Sequence, residues 1–300
     1  MKRKELEDIV TCLGQEDRQY YYYHDRFAWD LVKQYCRKRG PQTLKQSRFA
    51  KLLRRPIFAN LNFNRMRELG SYPWNDSDYW PLTTSFDVWG HRQIMDQTSA
   101  RQSNLVLQVN FVKGHQKAWE RIFSGEAPSL NYGCHPVRKS VRQSLSWARI
   151  DFNWKTGEAL IEEIQSDWVK KVRIMNQNCQ IPSYYDTKDI KLKNFNEYYE
   201  SYKALFDRWE EITLSAAIEF IVEELAINKI YYHSFETGNT LKSINGRLPP
   251  KSLYTKVPKK FCFEERESVP EFLLSSKCTK NNLRILKERK KPVRFFRLEF

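Results

Sequence analysis

Ser146-Trp-Ala-Arg-Ile-Asp-Phe-Asn153, Trp154-Lys-Thr-Gly157 and Glu158-Ala-Leu-Ile-Glu-Glu-Ile-Gln165 run consecutively along the chain. The outer stretches are built of apolar and β-forming residues and each predicts a strand. The four residues between them end in glycine, which closes a β-hairpin. Working outward, Asn104 to Phe111 reads as an earlier strand, and His115 to Phe123 as a helix. Beyond the hairpin, Leu214, Ala217, Ile218, Ile221, Val222 and Leu225 recur at i, i+3, i+4, i+7, i+8 and i+11, the spacing of an amphipathic helix ended by Asn228. Ile230 to Phe235 follows as a strand, a short helix is expected around Lys251 to Lys256, and Phe261 to Phe263 and Val293 to Phe300 read as two final strands. This order predicts an α/β (α+β) fold: a mixed, largely antiparallel sheet with packed helices.

The first hundred residues read as a helical, basic, aromatic-rich region, with a soft boundary near residue 100 before the α/β domain of 101–300. Phe27, Leu31, Val32 and Tyr35 recur at helical spacing until Gly40-Pro41 breaks the pattern. A second short helix carries Leu44, Phe49, Leu52 and Leu53, and shows Lys45, Arg48, Lys51 and Arg55 on its other side, as a phosphate-tracking helix needs. Tyr20 to Tyr23 are expected to pack beneath a loop, although aromatics beside cations can also stack nucleobases. Residues 71–100 read as an irregular connector anchored by Trp74, Trp80 and Trp89, and residues 170–207 as a polar, aromatic stretch.

The net charge of +15 favours an anionic partner: nucleic acid, acidic protein or a phosphorylated cofactor. The charge is concentrated at the ends. Residues 1–70 hold 16 Lys/Arg against 8 Asp/Glu, and residues 277–300 hold 9 against 2, so the middle is nearly neutral. In the C-terminal stretch Lys287, Arg289, Lys290, Lys291 and Arg294 are candidate nucleic-acid contacts, with tRNA or DNA as the expected partner. No run approaches twenty apolar residues, which argues against a membrane partner. The charged start, Met-Lys-Arg-Lys-Glu, argues against a secretory signal. Six scattered cysteines without a CxxC pair suggest neither a zinc site nor a disulfide framework, and His24, His91 and His115 lack metal-ligand spacing. A cytoplasmic location with reduced thiols and no metal is the expectation.

Chemistry concentrates at Glu162-Glu-Ile-Gln-Ser-Asp-Trp168. Strand alternation places Glu163, Gln165 and Asp167 on one face, and Glu162 and Ser166 beside Ile164 on the other. Polar side chains crowded at the end of an internal strand either line a site or pair with cations such as Lys170 and Lys171. A carboxylate there can act as a general base, and Asp167 can equally cap the next helix. His233, at a strand end before Thr237-Gly238, is an acid–base candidate with an ordinary hydrogen-bonded role as the alternative. Cys134-His135 could pair a nucleophile with its base, but adjacent residues rarely present both groups to one substrate.

Two resemblances attach to these residues. Glu-Ile-Gln-Ser-Asp-Trp168, Trp209 with Leu214, Thr237-Gly238 and Leu253-Tyr-Thr-Lys-Val-Pro258 occur in an order that resembles an uncharacterised domain of phage and mobile-element polyvalent proteins, over roughly residues 145–265. The order of hairpin, helix, strand, tyrosine-bearing helix and paired strands is similar to the GNAT acyltransferases. That likeness implies acetyl-CoA or another acyl-CoA as cofactor, Glu163 as base, Gln165 and Asp167 orienting substrate, and Tyr254 as acid. The family binds pyrophosphate with a glycine-rich loop, whereas Asp167 to Lys171 contains no glycine and offers Lys170 and Lys171 instead. Three readings follow: a divergent GNAT-like acyltransferase in a mobile-element setting, acting on an anionic or nucleic-acid-associated substrate; a non-enzymatic nucleic-acid-binding protein; and a phage-conflict protein that works by binding another protein. A pocket shared by Glu163 and Tyr254 favours the first, and a filled core there with an open basic stripe favours the second.

Overall fold

In the computed structural model the hairpin forms as the sequence requires. The strands Ser144–Asn153 (β4) and Glu158–Gln165 (β5) are joined by residues 154–157. The Asn153 carboxamide oxygen accepts from the backbone N–H of Lys155 at 2.8 Å, and Gly157 takes φ +64°, a conformation in which glycine has no Cβ penalty. The structure describes residues 1–14, 16–59, 79–90, 97–124, 126–136, 143–179, 191–244, 246 and 248–300. Trp74 and His91 therefore lie outside the described residues.

The hairpin sits inside an eight-stranded sheet. The other strands are Arg18–Tyr23 (β1), Tyr79–Trp89 (β2), Asn104–Phe111 (β3), Lys229–His233 (β6), Glu264–Arg266 (β7) and Phe295–Glu299 (β8). Their order is β1-β2-β3-β4-β5-β6-β8-β7. Every neighbouring pair is antiparallel except β5–β6, which is parallel. The parallel register ends at Ile161↔Tyr232, whereas β5 runs on to Gln165, so the two strands part company there.

One face of the sheet carries the main core. The helices Arg26–Arg39 (α2), Asp167–Cys179 (α4), Leu192–Phe206 (α5) and Trp209–Glu223 (α6) contribute to it. Leu214, Ala217, Ile218, Ile221, Val222 and Leu225 are all buried there, each large aliphatic contributing on the order of 1.5–3 kcal/mol. Helix α6 is apolar on more than one side because it lies between the sheet and α2, and Phe220 meets Phe86 of β2 at 4.6 Å. The opposite face is covered by Phe235–Leu241 (α7) and Lys277–Glu288 (α9), with Leu160, Tyr231, Leu241, Leu283, Leu286 and Phe295 forming a smaller cluster. Among the described residues the remaining α-helices are Arg3–Leu13 (α1), Lys113–Glu120 (α3) and Lys256–Lys260 (α8).

Several local expectations are corrected. Tyr20–Tyr23 lie in β1, paired with β2, and are not a segment under a loop. The stretch read as a connector contains β2, eleven residues long, and β1 and β2 share one sheet with the strands beyond residue 100. Helices α4 and α5 occupy most of the described part of 170–207. Strand β7 begins at Glu264, just past the expected Phe261–Phe263. The basic segment 41–54 is a pair of 3₁₀ helices, Pro41–Gln46 and Arg48–Arg54.

Candidate functional site

The polar residues of β5 are arranged by a β-bulge. Arg149 pairs with Glu163, but the next residue, Ile150, pairs with Ile161, so Glu162 is the extra residue. A bulge lets successive side chains turn toward the same side. Ile161 and Ile164 both enter the main core, while Glu162 and Glu163 both reach the opposite face. Glu162 is therefore not beside Ile164, as simple alternation required.

Where β5 and β6 diverge, polar groups from widely separated segments meet. Glu162 is fully buried; its carboxylate accepts from the Ser99 backbone N–H at 3.0 Å and hydroxyl at 2.8 Å, and from His233 Nε2 at 2.8 Å. Burial alone raises the Glu162 carboxyl. The hydrogen bond and charge of His233, with Lys242 and Arg149, more than reverse that and hold it at about 2. Burial lowers His233, partly offset by Glu162. The imidazole donates to Glu162 through Nε2, and its buried Nδ1 has no hydrogen-bond partner among the described residues. Ser99, His233 and Glu162 form a triangle around one imidazole nitrogen. A relay needs both ring nitrogens, one for the hydroxyl and one for the carboxylate, so this arrangement is a strut and not a nucleophile triad.

Glu163 and Tyr254 do converge on a common point, and an ammonium fills it. Lys242, fully buried, donates to the Tyr254 hydroxyl at 3.2 Å and to the Glu162 carbonyl at 3.1 Å, and stands 3.8 Å from the Glu163 carboxylate. Arg149, also buried, pairs with Glu163 and donates to the Gln97 carbonyl at 2.9 Å. Burial pushes the Glu163 carboxyl up, and Arg149 and Lys242 bring it below its ordinary value. Burial pushes the Tyr254 hydroxyl up, with Lys242 opposing. A depressed carboxyl is a poor proton acceptor and a raised phenol a poor donor. Two cavities of the described residues lie elsewhere: one of about 270 Å³ between α2 and α6, reached by Asp30, Gln34, Ser215 and Glu219, and one of about 740 Å³ beside α1, Asp151 and Phe272. Neither touches Glu163 or Tyr254.

Gln165 and Asp167 belong to a separate group. Asp167, buried at the start of α4, accepts from His135 Nδ1 at 2.8 Å and from the Tyr132 N–H at 3.0 Å, with Gln165 Nε2 at 3.4 Å. Asp167 is therefore not the cap of α4: the Ser166 hydroxyl takes that place, accepting from the Val169 N–H at 3.0 Å. Lys170 is exposed, and the Lys171 ammonium lies 3.7 Å from the centre of the Tyr132 ring. Cys134 is exposed. His115 is buried against Phe111 and bonded to the Tyr198 hydroxyl, and burial holds it at about 3, a structural neutral imidazole. Among the described residues no cluster of His, Cys, Asp and Glu could hold a metal, and no helix is long and apolar enough to cross a membrane.

The two basic ends have different fates. In the first, Arg48 donates to the Glu299 carbonyl at 2.6 Å and pairs with Glu264, Lys51 donates to the Lys259 carbonyl at 2.7 Å, and Arg55 pairs with Asp25 at 3.2 Å, whereas Lys45 is exposed. The second is open. Helix α9, missed in the sequence, buries Thr279, Leu283 and Leu286 and presents Lys277, Lys280, Arg284 and Lys287 to solvent. These four fall at i, i+3, i+7 and i+10, one stripe about 15 Å long at the helical rise. Arg289, Lys290 and Lys291 extend it, all exposed, while Arg294 pairs with Glu267. Among the described residues the stripe contains a single ion pair, Arg284–Glu288 at 3.6 Å, exposed on both sides.

The stripe ends in a strained cap. Lys291 N–H bonds the Leu286 carbonyl and Lys290 N–H the Lys287 carbonyl, both at 2.9 Å, a Schellman pair. Lys290 takes φ +53°, where glycine is favoured and a side chain costs roughly 1 kcal/mol. A cation thus stands where stability alone selects glycine. No family model, no curated protein and no solved structure matches the chain.

Proposed function

We propose that the protein binds nucleic acid through the basic face of α9 and the Arg289–Lys291 turn that follows it. The observation that carries this is the stripe itself: Lys277, Lys280, Arg284 and Lys287 on one exposed helical face, continued by three more exposed cations. Lysine and arginine at one-turn spacing match a phosphate backbone and release its counterions on binding. An ammonium held in a left-handed cap at Lys290 fits the same reading, because strain retained at a charged surface position points to a role beyond folding. On this account Glu162, Glu163, His233, Lys242 and Tyr254 join β5, β6 and α7 as a buried strut. Fluorescence anisotropy with labelled DNA and RNA strands of about 20 nucleotides, long enough to span the stripe, tests the reading. Lys280→Glu/Lys287→Glu should weaken binding at least tenfold with an unchanged thermal midpoint; equal affinity in both proteins removes the stripe from the function.

A GNAT-like acyltransferase is the second reading, supported by the strand order and by the single parallel pair that parts at Glu162 and His233. It requires acyl-CoA to displace Lys242 from between Glu163 and Tyr254. A thermal upshift with acetyl-CoA at a hundred times its Kd, worth roughly 2.7 kcal/mol, supports it, and no shift at millimolar cofactor opposes it.

A further inference from the structure

Outside the strut and the stripe, one cluster carries the elements of acid–base chemistry at an accessible surface. His135 is 28% exposed at its side chain, and its Nδ1 is 2.8 Å from the buried Asp167 carboxylate. A carboxylate accepts only, so Nδ1 bears a hydrogen, and in the neutral ring Nε2 is the nitrogen with the lone pair. This is the orientation a carboxylate imposes on a histidine general base. Among the described residues no hydrogen bond engages Nε2. The ring is fixed further by Trp147, 5.2 Å away, and by the edge of Tyr132 at 5.5 Å. Tyr132 itself is 41% exposed, with the Lys171 ammonium over its ring. An exposed aromatic, a cation and an imidazole nitrogen with its lone pair available thus share one patch: a base-stacking surface, a phosphate contact and a proton acceptor.

We propose that this patch is an RNA-cleaving site with His135 as its general base, an inference that rests on the nucleic-acid-binding reading. An imidazole base activates a nucleophile that the substrate must bring, and in a nucleic acid strand the nearest is the ribose 2′-hydroxyl, which DNA lacks. Nε2 takes the 2′-hydroxyl proton as the 2′-oxygen bonds to the adjacent phosphorus. The P–O5′ bond breaks, and the leaving 5′-oxygen takes a proton from water. The products are a 2′,3′-cyclic phosphate and a 5′-hydroxyl, and the imidazolium returns its proton to solvent, so no proton is consumed overall. Lys171 sits opposite the charge on the phosphoryl oxygens, and Asp167 is a positioning residue that acts through His135.

The test uses the full chain with an end-labelled single-stranded RNA and its all-deoxy counterpart, measuring binding and cleavage separately. The RNA should be cut to cyclic-phosphate ends and the DNA left intact. His135→Gln should lower the single-turnover rate at saturating RNA at least 100-fold, about the low end of what a positioned base contributes, with Kd within twofold. His135→Ala should be rescued in part by added imidazole, a response that a merely structural histidine would not give. Lys280→Glu/Lys287→Glu should weaken binding at least tenfold and lower the cleavage of sub-saturating RNA in the same proportion. RNA that is bound and not cut, or cut equally by His135→Gln, overturns the cleavage site and leaves the binding reading standing. Failure of the wild-type chain to bind any nucleic acid overturns both.

Discussion

Lys242 donates to the Tyr254 hydroxyl at 3.2 Å while standing 3.8 Å from the Glu163 carboxylate, so one buried ammonium separates the two residues that an acyltransferase would use as acid and base. Removing it leaves Glu163 with Arg149 alone and deprives the Glu162 carbonyl and the Tyr254 hydroxyl of their buried donor. Lys242→Met should destabilise the fold by about 3–5 kcal/mol, the usual consequence of breaking a buried ionic pair. Urea denaturation measures it, and a loss under about 1 kcal/mol, the range of an exposed pair, would mean the ammonium is not integral to the strut.

The same strut sets a pH dependence. Glu162, held at about 2, has a folded value below the ordinary 4.5 of the unfolded chain, so its contribution is present above pH 4.5 and is lost as pH falls toward 2. His233, lowered by burial, acts in the same direction below its unfolded value. Asp151 opposes them. Burial raises it to about 6, against the N-terminal ammonium, so its contribution is present below its ordinary 3.8 and is lost as pH rises through 6. Below about pH 4 the Glu162 loss should dominate, on the order of 2–3 kcal/mol once the carboxyl is protonated. Denaturant midpoints measured from neutral to strongly acidic pH give the curve, and a flat acidic limb would contradict the assignment.

Gly238 makes room for His233. A Cβ on Gly238 would lie 2.8 Å from the His233 Cβ, an atom that cannot swing away. Gly238→Ala should therefore cost about 1–3 kcal/mol, although alanine ordinarily favours a helix. Thermal unfolding that shows stabilisation would refute the close packing of α7 on β6.

Legibility from sequence followed locality. The hairpin and α6 were plain because a turn residue and a helical stripe are encoded within a few neighbouring positions. The bulge was not, because Glu162 and Glu163 are chemically identical and only pairing with Arg149 reveals which is extra. The strut was half visible: Glu163, His233 and Tyr254 stood out, whereas Ser99 comes from a distant segment, and Arg149, on the facing hairpin strand, and Lys242, at the end of α7, belong to no motif. Helix α9 was hidden because Leu283 and Leu286 are thin support among so many cations. Cys134-His135 looked like an isolated pair because the partner, Asp167, is supplied by another element.

The cap of α9 offers a trade between stability and binding. Lys290→Gly relieves the left-handed strain and should stabilise by roughly 0.5–1 kcal/mol, while removing one phosphate-binding cation and weakening nucleic-acid affinity several-fold. Parallel melting and anisotropy measurements separate the two effects. A variant that is stabilised and binds unchanged would show that Lys290 is not part of the interface.

The salt dependence of nucleic-acid affinity addresses the central claim most directly. For duplex DNA the plot of log K against log salt should be linear and steep. Lys280→Met/Lys287→Met should make its slope shallower by about 1.8, roughly 0.9 for each phosphate that is no longer neutralised. An identical slope for wild type and variant, or no binding at low salt, would contradict the assignment of α9 as the nucleic-acid interface.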